Sequence, residues 1–246
     1  VDHERQLYED AIRHNVVSFE EDRTMVERIA RMQHYQLPTR FADMSDNALL
    51  AAHFACDSSG FDCKNKDNDQ DGFIRIIKVH PEKMKSFTSD IIVSIAHLPL
   101  VDAKNIVPSK NDLGYLRYEV QNERAGFCDL EGDTEYHQNL CGEIQQVWAF
   151  RPVLNTRRIR NQGGAFLAYG CGDNKASLNP SFNLADYEDR TKPSWGIAQI
   201  GYICVPAECK KNIRMELAHF GMRPEVVYPD LSNVCCALQE RYLGNV

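Results

Sequence analysis

The sequence predicts an α+β fold, with helices packed around a mixed or antiparallel central sheet. Helical periodicity is concentrated at the two ends of the chain, strand-length apolar runs lie in the middle and second half, and the order never repeats as strand–helix–strand units. The 246 residues leave room for one large core or two small ones, and a single domain over 1–246 is the expectation.

Residues 2–16 form the first predicted helix, with Leu7, Ala11, Ile12 and Val16 on one face and charges opposite. The pattern continues over 23–34, where Val26, Ile29, Ala30 and Gln33 share a face. Pro38 stops any helix and makes 36–40 extended or turning. A third helix begins near Ser45 or Asp46, either of which can cap free N–H groups, and its apolar stretch 48–55 is expected to be buried. Residues 73–79 read as a strand rich in β-branched side chains. The stretch 80–142 shows the least regular pattern. Strands follow at 145–150 and 164–169, joined by a loop at 151–162, and residues 170–194 read as a surface loop. A strand at 197–205, a helix at 207–220 ending at Gly221, and a helix at 233–243 capped by Ser232 complete the chain.

No apolar run approaches the ~20 residues that span a bilayer, and no secretory leader is visible. The chain starts at Val1 and not at Met, so further N-terminal sequence is expected. The net charge of -7 means that nucleic acid would have to bind at a local basic patch. Arg151, Arg157, Arg158 and Arg160 are the candidates, against the simpler reading of a solvated turn. Nine cysteines, an odd number without CxxC spacing, argue against a zinc site. Several sit in apolar contexts, which predicts buried reduced thiols and a cytoplasmic protein. Adjacent Cys235 and Cys236 are not expected to bridge each other.

Residues 67–72 open like a calcium loop, with oxygen ligands at the first, third and fifth positions and Gly72 at the sixth. The twelfth position is Lys78 where a glutamate is required, so an acidic turn is the better reading. Residues 33–43 are the most informative. They gather an imidazole (His34), a hydroxyl (Thr39), a guanidinium (Arg40) and a carboxylate (Asp43) around Pro38. Such a set can bind a polar ligand. It can equally be an internal network in which Arg40 pairs with Asp43 and Thr39 or Asp43 caps the next helix. In the second cluster, 157–166, Gly163 and Gly164 precede a strand and allow close backbone approach or a tight entry turn. The nucleophile-elbow, zinc-protease and phosphate-loop motifs are absent.

Together these clusters resemble the FRG domain, a bacterial family. Its pattern QH(Y/H)GLPTRLLDWT, followed by an apolar helix, is matched here by Gln33 through Ser45 and then residues 47–56. Its DG-led strand resembles Asp71-Gly72-Phe73-Ile74. Its extended segment ending in proline resembles residues 147–152, and its RIxxQxGxF strand resembles Arg158 through Phe166. The final helix, glycine and (F/Y)PDL resemble residues 207–221 and Tyr228-Pro229-Asp230-Leu231. Gln36 stands where the family has glycine, and the naming (F/Y)RG motif is expected to precede Val1.

The resemblance implies a part in phage-defence or toxin systems, with a protein partner such as an antitoxin. The (F/Y)RG strand resembles the arginine motif of ADP-ribosyltransferases, which implies an ADP-ribosyltransferase-like fold and NAD as cofactor. By that analogy Thr39, Arg40 and Gln162 are the catalytic candidates, with His34, Arg40 and Asp43 binding the cofactor. Gln162 can orient a ribose hydroxyl or water but cannot act as a general base. The leading expectation is an NAD-dependent ADP-ribosyltransferase-like or NAD-cleaving effector. The alternatives are a non-enzymatic sensor or interaction domain and a nucleic-acid-binding domain.

Overall fold

The computed structural model describes residues 3–56, 70–101, 113–125, 127, 134–155, 157–171, 184–192 and 195–243. The helices are α1 (Glu4–His14), α2 (Met25–His34), α3 (Ala48–Cys56), α4 (Asp90–His97), α5 (Gly114–Glu123), α6 (Thr134–Glu143), α7 (Arg157–Gln162), α8 (Lys210–His219), α9 (Pro224–Val227) and α10 (Leu231–Leu243). The strands are β1 (Phe41–Ser45), β2 (Gly72–Val79), β3 (Met84–Ser86), β4 (Val147–Arg151), β5 (Gly164–Tyr169) and β6 (Ile197–Val205). The α+β class and the mixed sheet are as the sequence predicts.

The chain divides into two compact units, each assembled from three separate segments. The first comprises Val1–Asp43, Lys78–Val153 and Ala165–Ala198, and the second Met44–Ile77, Leu154–Gly164 and Gln199–Val246.

The first unit is built on a four-stranded sheet of order β1-β5-β4-β3. β3 runs parallel to β4, with Lys85 opposite Phe150, and β4 runs antiparallel to β5, with Phe150 opposite Phe166. The rings of Phe150 and Phe166 stack at 5.4 Å, and Phe41 of β1 meets Phe150 edge-on at 4.8 Å. All three are buried, and each full burial contributes roughly 2–3 kcal/mol. Helices α1, α2, α4, α5 and α6 add Tyr8, Ile29, Ile92, Ile95, Leu116 and Leu140 to the same core. α2 starts at a capping box: Thr24 Oγ1 accepts from Glu27 N, and the Glu27 carboxylate accepts from Thr24 N. Just before it, the side chain of Asp22, fully buried, takes a two-pronged bond from Arg31, at 2.6 and 2.8 Å.

The second unit holds most of the two-stranded β2–β6 sheet and helices α3, α7, α8, α9 and α10. Its small core is Leu50, Val227 and Tyr228, with Phe54 packed against them.

Several elements depart from expectation. α1 ends at His14 and a 3₁₀ turn follows, so Val16 points to solvent instead of the core. Residues 41–45, absorbed in the sequence reading into the approach to α3, form strand β1. The cap of α3 is Asn47, whose Oδ1 accepts from Leu49 N and Leu50 N, and not Ser45, Asp46, Thr39 or Asp43. α3 buries Leu50, His53 and Cys56 while Leu49 is exposed, so it is half-covered and not fully buried. The stretch 80–142 contains β3, α4, α5 and α6, and the expected loop at 151–162 contains α7. α10 begins at Leu231, ahead of the expected Ser232 cap. Cys56 and Cys141 are buried thiols as expected, but Cys204 and Cys235 are exposed, and Cys236 is disulfide-bonded. Residues 67–69 of the acidic turn lie outside the described residues. Among the described residues no group of side chains could hold a metal, and no helix is long and apolar enough to cross a membrane.

Candidate functional site

The polar cluster at 33–43 is held between the end of α2 and the start of β1 in the first unit. α2 closes at His34, and Gln36 then adopts φ 65°, a left-handed conformation. Leu37 N folds back to Met32 O at 3.0 Å, giving the helix the kind of C-terminal turn that usually carries glycine. This is the position where the resemblance has glycine. A glutamine here is strained, so Gln36→Gly is expected to raise stability by about 0.5–1 kcal/mol, read from chemical denaturation midpoints. A drop in midpoint would show that the glutamine side chain contributes more than its backbone costs.

The reversal brings the side chains together. Thr39 Oγ1 donates to Gln33 Oε1 at 2.9 Å, and Gln33 Nε2 donates to Asp43 Oδ2 at 3.0 Å. Asp43 Oδ1 lies 3.3 Å from His34 Nδ1. Thr39 Oγ1 also accepts from Phe41 N at 3.1 Å, which fixes the start of β1. His34 is buried, its ring lying 5.2 Å from that of Phe166, and its Nε2 has no hydrogen-bond partner among the described residues.

Arg40 does not pair with Asp43 as expected. It turns to Glu4 of α1, with Nε 2.7 Å from Oε1 and Nη2 2.8 Å from Oε2. Its Nη1 donates to Gly170 O at 3.1 Å, just past β5. Three sequence-distant segments, α1, β1 and the end of β5, thus meet on one guanidinium whose side chain is 17% exposed. Beside it, Glu4, Tyr8, Ile29, Met32, Pro38 and Thr39 line a shallow, mostly apolar indentation.

Gln162 belongs to the second unit. It is buried at the end of α7, and its Nε2 donates to Val227 O at 3.2 Å while Ser45 Oγ donates to its backbone carbonyl. Of the arginines proposed as a basic patch, Arg157 and Arg160 are exposed on α7 and Arg151 is exposed at the end of β4 in the other unit. Arg158 is buried, with Nη1 3.3 Å from Asp230 Oδ2 and its guanidinium over the Tyr228 ring. Gly163, at φ 53°, makes the tight entry turn into β5.

A second cluster in the first unit escaped the sequence reading. Lys83 is completely buried. Its Nζ donates to Gln146 Oε1 at 2.7 Å and to Val147 O at 3.1 Å, and lies 3.9 Å from the Trp148 ring centre and 4.5 Å from that of Trp195. Burial pushes its ammonium down to about 7; the charge of Lys85 lowers it further and Glu143 opposes the fall. The segment around it reads as a polar turn, and only the chain's two tryptophans, both ending on this lysine, offered a signal.

No curated protein and no solved structure matches the chain. The model of the FRG domain matches residues 2–62. The described part of that segment contains α1, α2, β1 and α3, and with them Glu4 and the whole 33–43 cluster. Over this segment, about a quarter of its length, the chain is similar to the FRG domain family.

Proposed function

We propose that the chain acts as a non-enzymatic interaction or sensor domain of a bacterial defence or toxin system, with the 33–43 cluster as its internal framework. The observation that carries this reading is the state of Arg40. Its two faces are filled by the Glu4 carboxylate and by the Gly170 carbonyl. A guanidinium bound in this way could offer its fork to a pyrophosphate only by giving up Glu4. On the β2–β6 sheet Phe73, Ile76, Ile200, Tyr202 and Ile203 are exposed, and strand alternation divides them between its two faces.

The second reading is an NAD-dependent ADP-ribosyltransferase-like or NAD-cleaving effector. Thr39, Arg40 and Gln162 would be its catalytic residues, and His34, Arg40 and Asp43 would bind the cofactor. One observation favours it: while Nδ1 faces Asp43, His34 Nε2 is buried without a partner among the described residues, a polar atom that a ligand group could satisfy. A nucleic-acid reading has less support, since Arg158 is spent on Asp230 and Tyr228.

NAD turnover by the purified protein in the presence of cell extract separates the first two. The interaction reading expects no loss of NAD and no label moving from NAD to protein or nucleic acid. Turnover that disappears in Thr39→Ala, with an unchanged melting temperature, would overturn it in favour of the effector.

A further inference from the structure

We propose that Lys83 is the proton-sensitive pin of a latch, holding residues 184–192 and 195–196 against β4 most firmly when its amine is neutral. The attachment is specific. Trp195 Nε1 donates to Gln146 Oε1 at 2.7 Å, the same oxygen that accepts from Lys83 Nζ, so one amide carbonyl joins the pin to the strap. Gly196, at φ 68°, lies so close to the lysine stem that a Cβ there would sit 2.8 Å from Lys83 Cγ. The strap backbone is then tied down by His80 N donating to Gly196 O at 2.7 Å and Gly196 N donating to Tyr187 O at 2.8 Å. Trp195 and Tyr187 are both buried.

The charges around the pin explain why this group should give up its proton. Its two acceptors, Gln146 and Val147, are neutral. Lys85 of β3 also sits over Trp148, at 4.6 Å, and Arg190 of the strap sits over Trp195, at 4.6 Å. Three cations therefore share two indoles, and the middle one is the one without solvent. Arg190 has a carboxylate of its own, Glu82, at 2.9 Å. Among the described residues, the other charged or titratable groups facing the cluster are Glu143 of α6, His80, whose ring is 5.8 Å from Trp195, and Lys78, over the Tyr187 ring at 4.3 Å. The indole faces favour a cation, but a buried ammonium flanked by two like charges is the costly state.

The sign follows from proton counting. With the strap released, Lys83 is in water and titrates in the ordinary lysine range; with it closed, the group titrates at about 7. Between those limits the closed state binds fewer protons, so closure strengthens as pH rises from about 7 towards the ordinary lysine range; that advantage is lost progressively as pH falls back to about 7, below which closure no longer changes with pH.

The test is hydrogen exchange of the Gly196 and His80 amides, corrected for the intrinsic pH dependence of exchange. In the wild-type protein their protection is expected to rise about tenfold from pH 6 to pH 8. Lys83→Met should abolish that rise, and Lys83→Arg, which cannot lose its proton, should abolish it too. Flat protection in the wild type overturns the proposal. So does an equal rise in Lys83→Met, which would assign the response to a group other than Lys83. Should neither variant fold, the lysine side-chain resonances of isotopically labelled wild-type protein decide. One lysine titrating near neutrality together with the strap amides supports the latch, and all lysines titrating in the ordinary range sink it.

Discussion

Arg40→Ala is expected to destabilise the protein by about 3–5 kcal/mol, the loss that follows when one partner of a largely buried ion pair is removed and the other charge stays behind. The side chain of Glu4 is only 12% exposed and would lose both guanidinium contacts, and the Gly170 carbonyl would lose its donor. The link between α1 and the sheet would go with them. Arg40→Lys keeps the charge but not the fork, so it should lose less. Glu4→Gln should also lose less, because an amide can still accept from Arg40. Urea denaturation of the three variants measures the order. A loss below about 1 kcal/mol for Arg40→Ala would remove the structural role that the proposed function rests on. Arg40 would then again be a candidate ligand-binding residue.

The second large effect lies at Asp22. Its carboxylate has no exposed surface and accepts two bonds from Arg31. The hydrogen bonds it donates to Asp22 hold the Arg31 guanidinium above its ordinary value, which is the same attraction seen from the cation's side. Asp22→Ala leaves a guanidinium only 13% exposed beside an empty position, and is expected to cost about 3–5 kcal/mol. Asp22→Asn keeps one acceptor and the shape of the side chain, and should cost roughly half as much. Thermal melts on both variants check this, and the pair Asp22→Ala with Arg31→Met should recover part of the loss. If the double variant is no better than Asp22→Ala alone, the ion pair is not the source of the effect.

The parts of the fold that could be read from the sequence are those whose own pattern decides their structure. α2 shows its buried face as Val26, Ile29 and Ala30, and β5 is an apolar run bounded by glycines, so both stood out. β1 did not, because Phe41-Ala42-Asp43-Met44-Ser45 has only five residues and becomes a strand by pairing with β5. α4 packs Ile91, Ile92, Val93 and Ile95 into eight residues, a run of β-branched side chains that periodicity alone cannot assign. α7 is a single six-residue segment, too short to show a period. The same division holds at the site. That His34, Thr39 and Asp43 come together was readable from their spacing. That Arg40 would choose Glu4 over its near neighbour Asp43 was not, because the choice depends on where α1 packs. Lys83 was invisible for a related reason, since its burial is made by two tryptophans far along the chain.

The pairing of β1 with β5 has a consequence for the newborn chain. About 120 residues separate the two strands, and a ribosome adding ~5–20 residues each second takes roughly 6–24 s to cover that gap. Throughout that interval Phe41 and the backbone edge beside it have no partner strand, a condition that invites association with other chains. The segment 2–62 synthesised by itself would remain in that condition permanently. A fragment cut to those limits should therefore accumulate in inclusion bodies, or depend on a chaperone, where the whole chain does not.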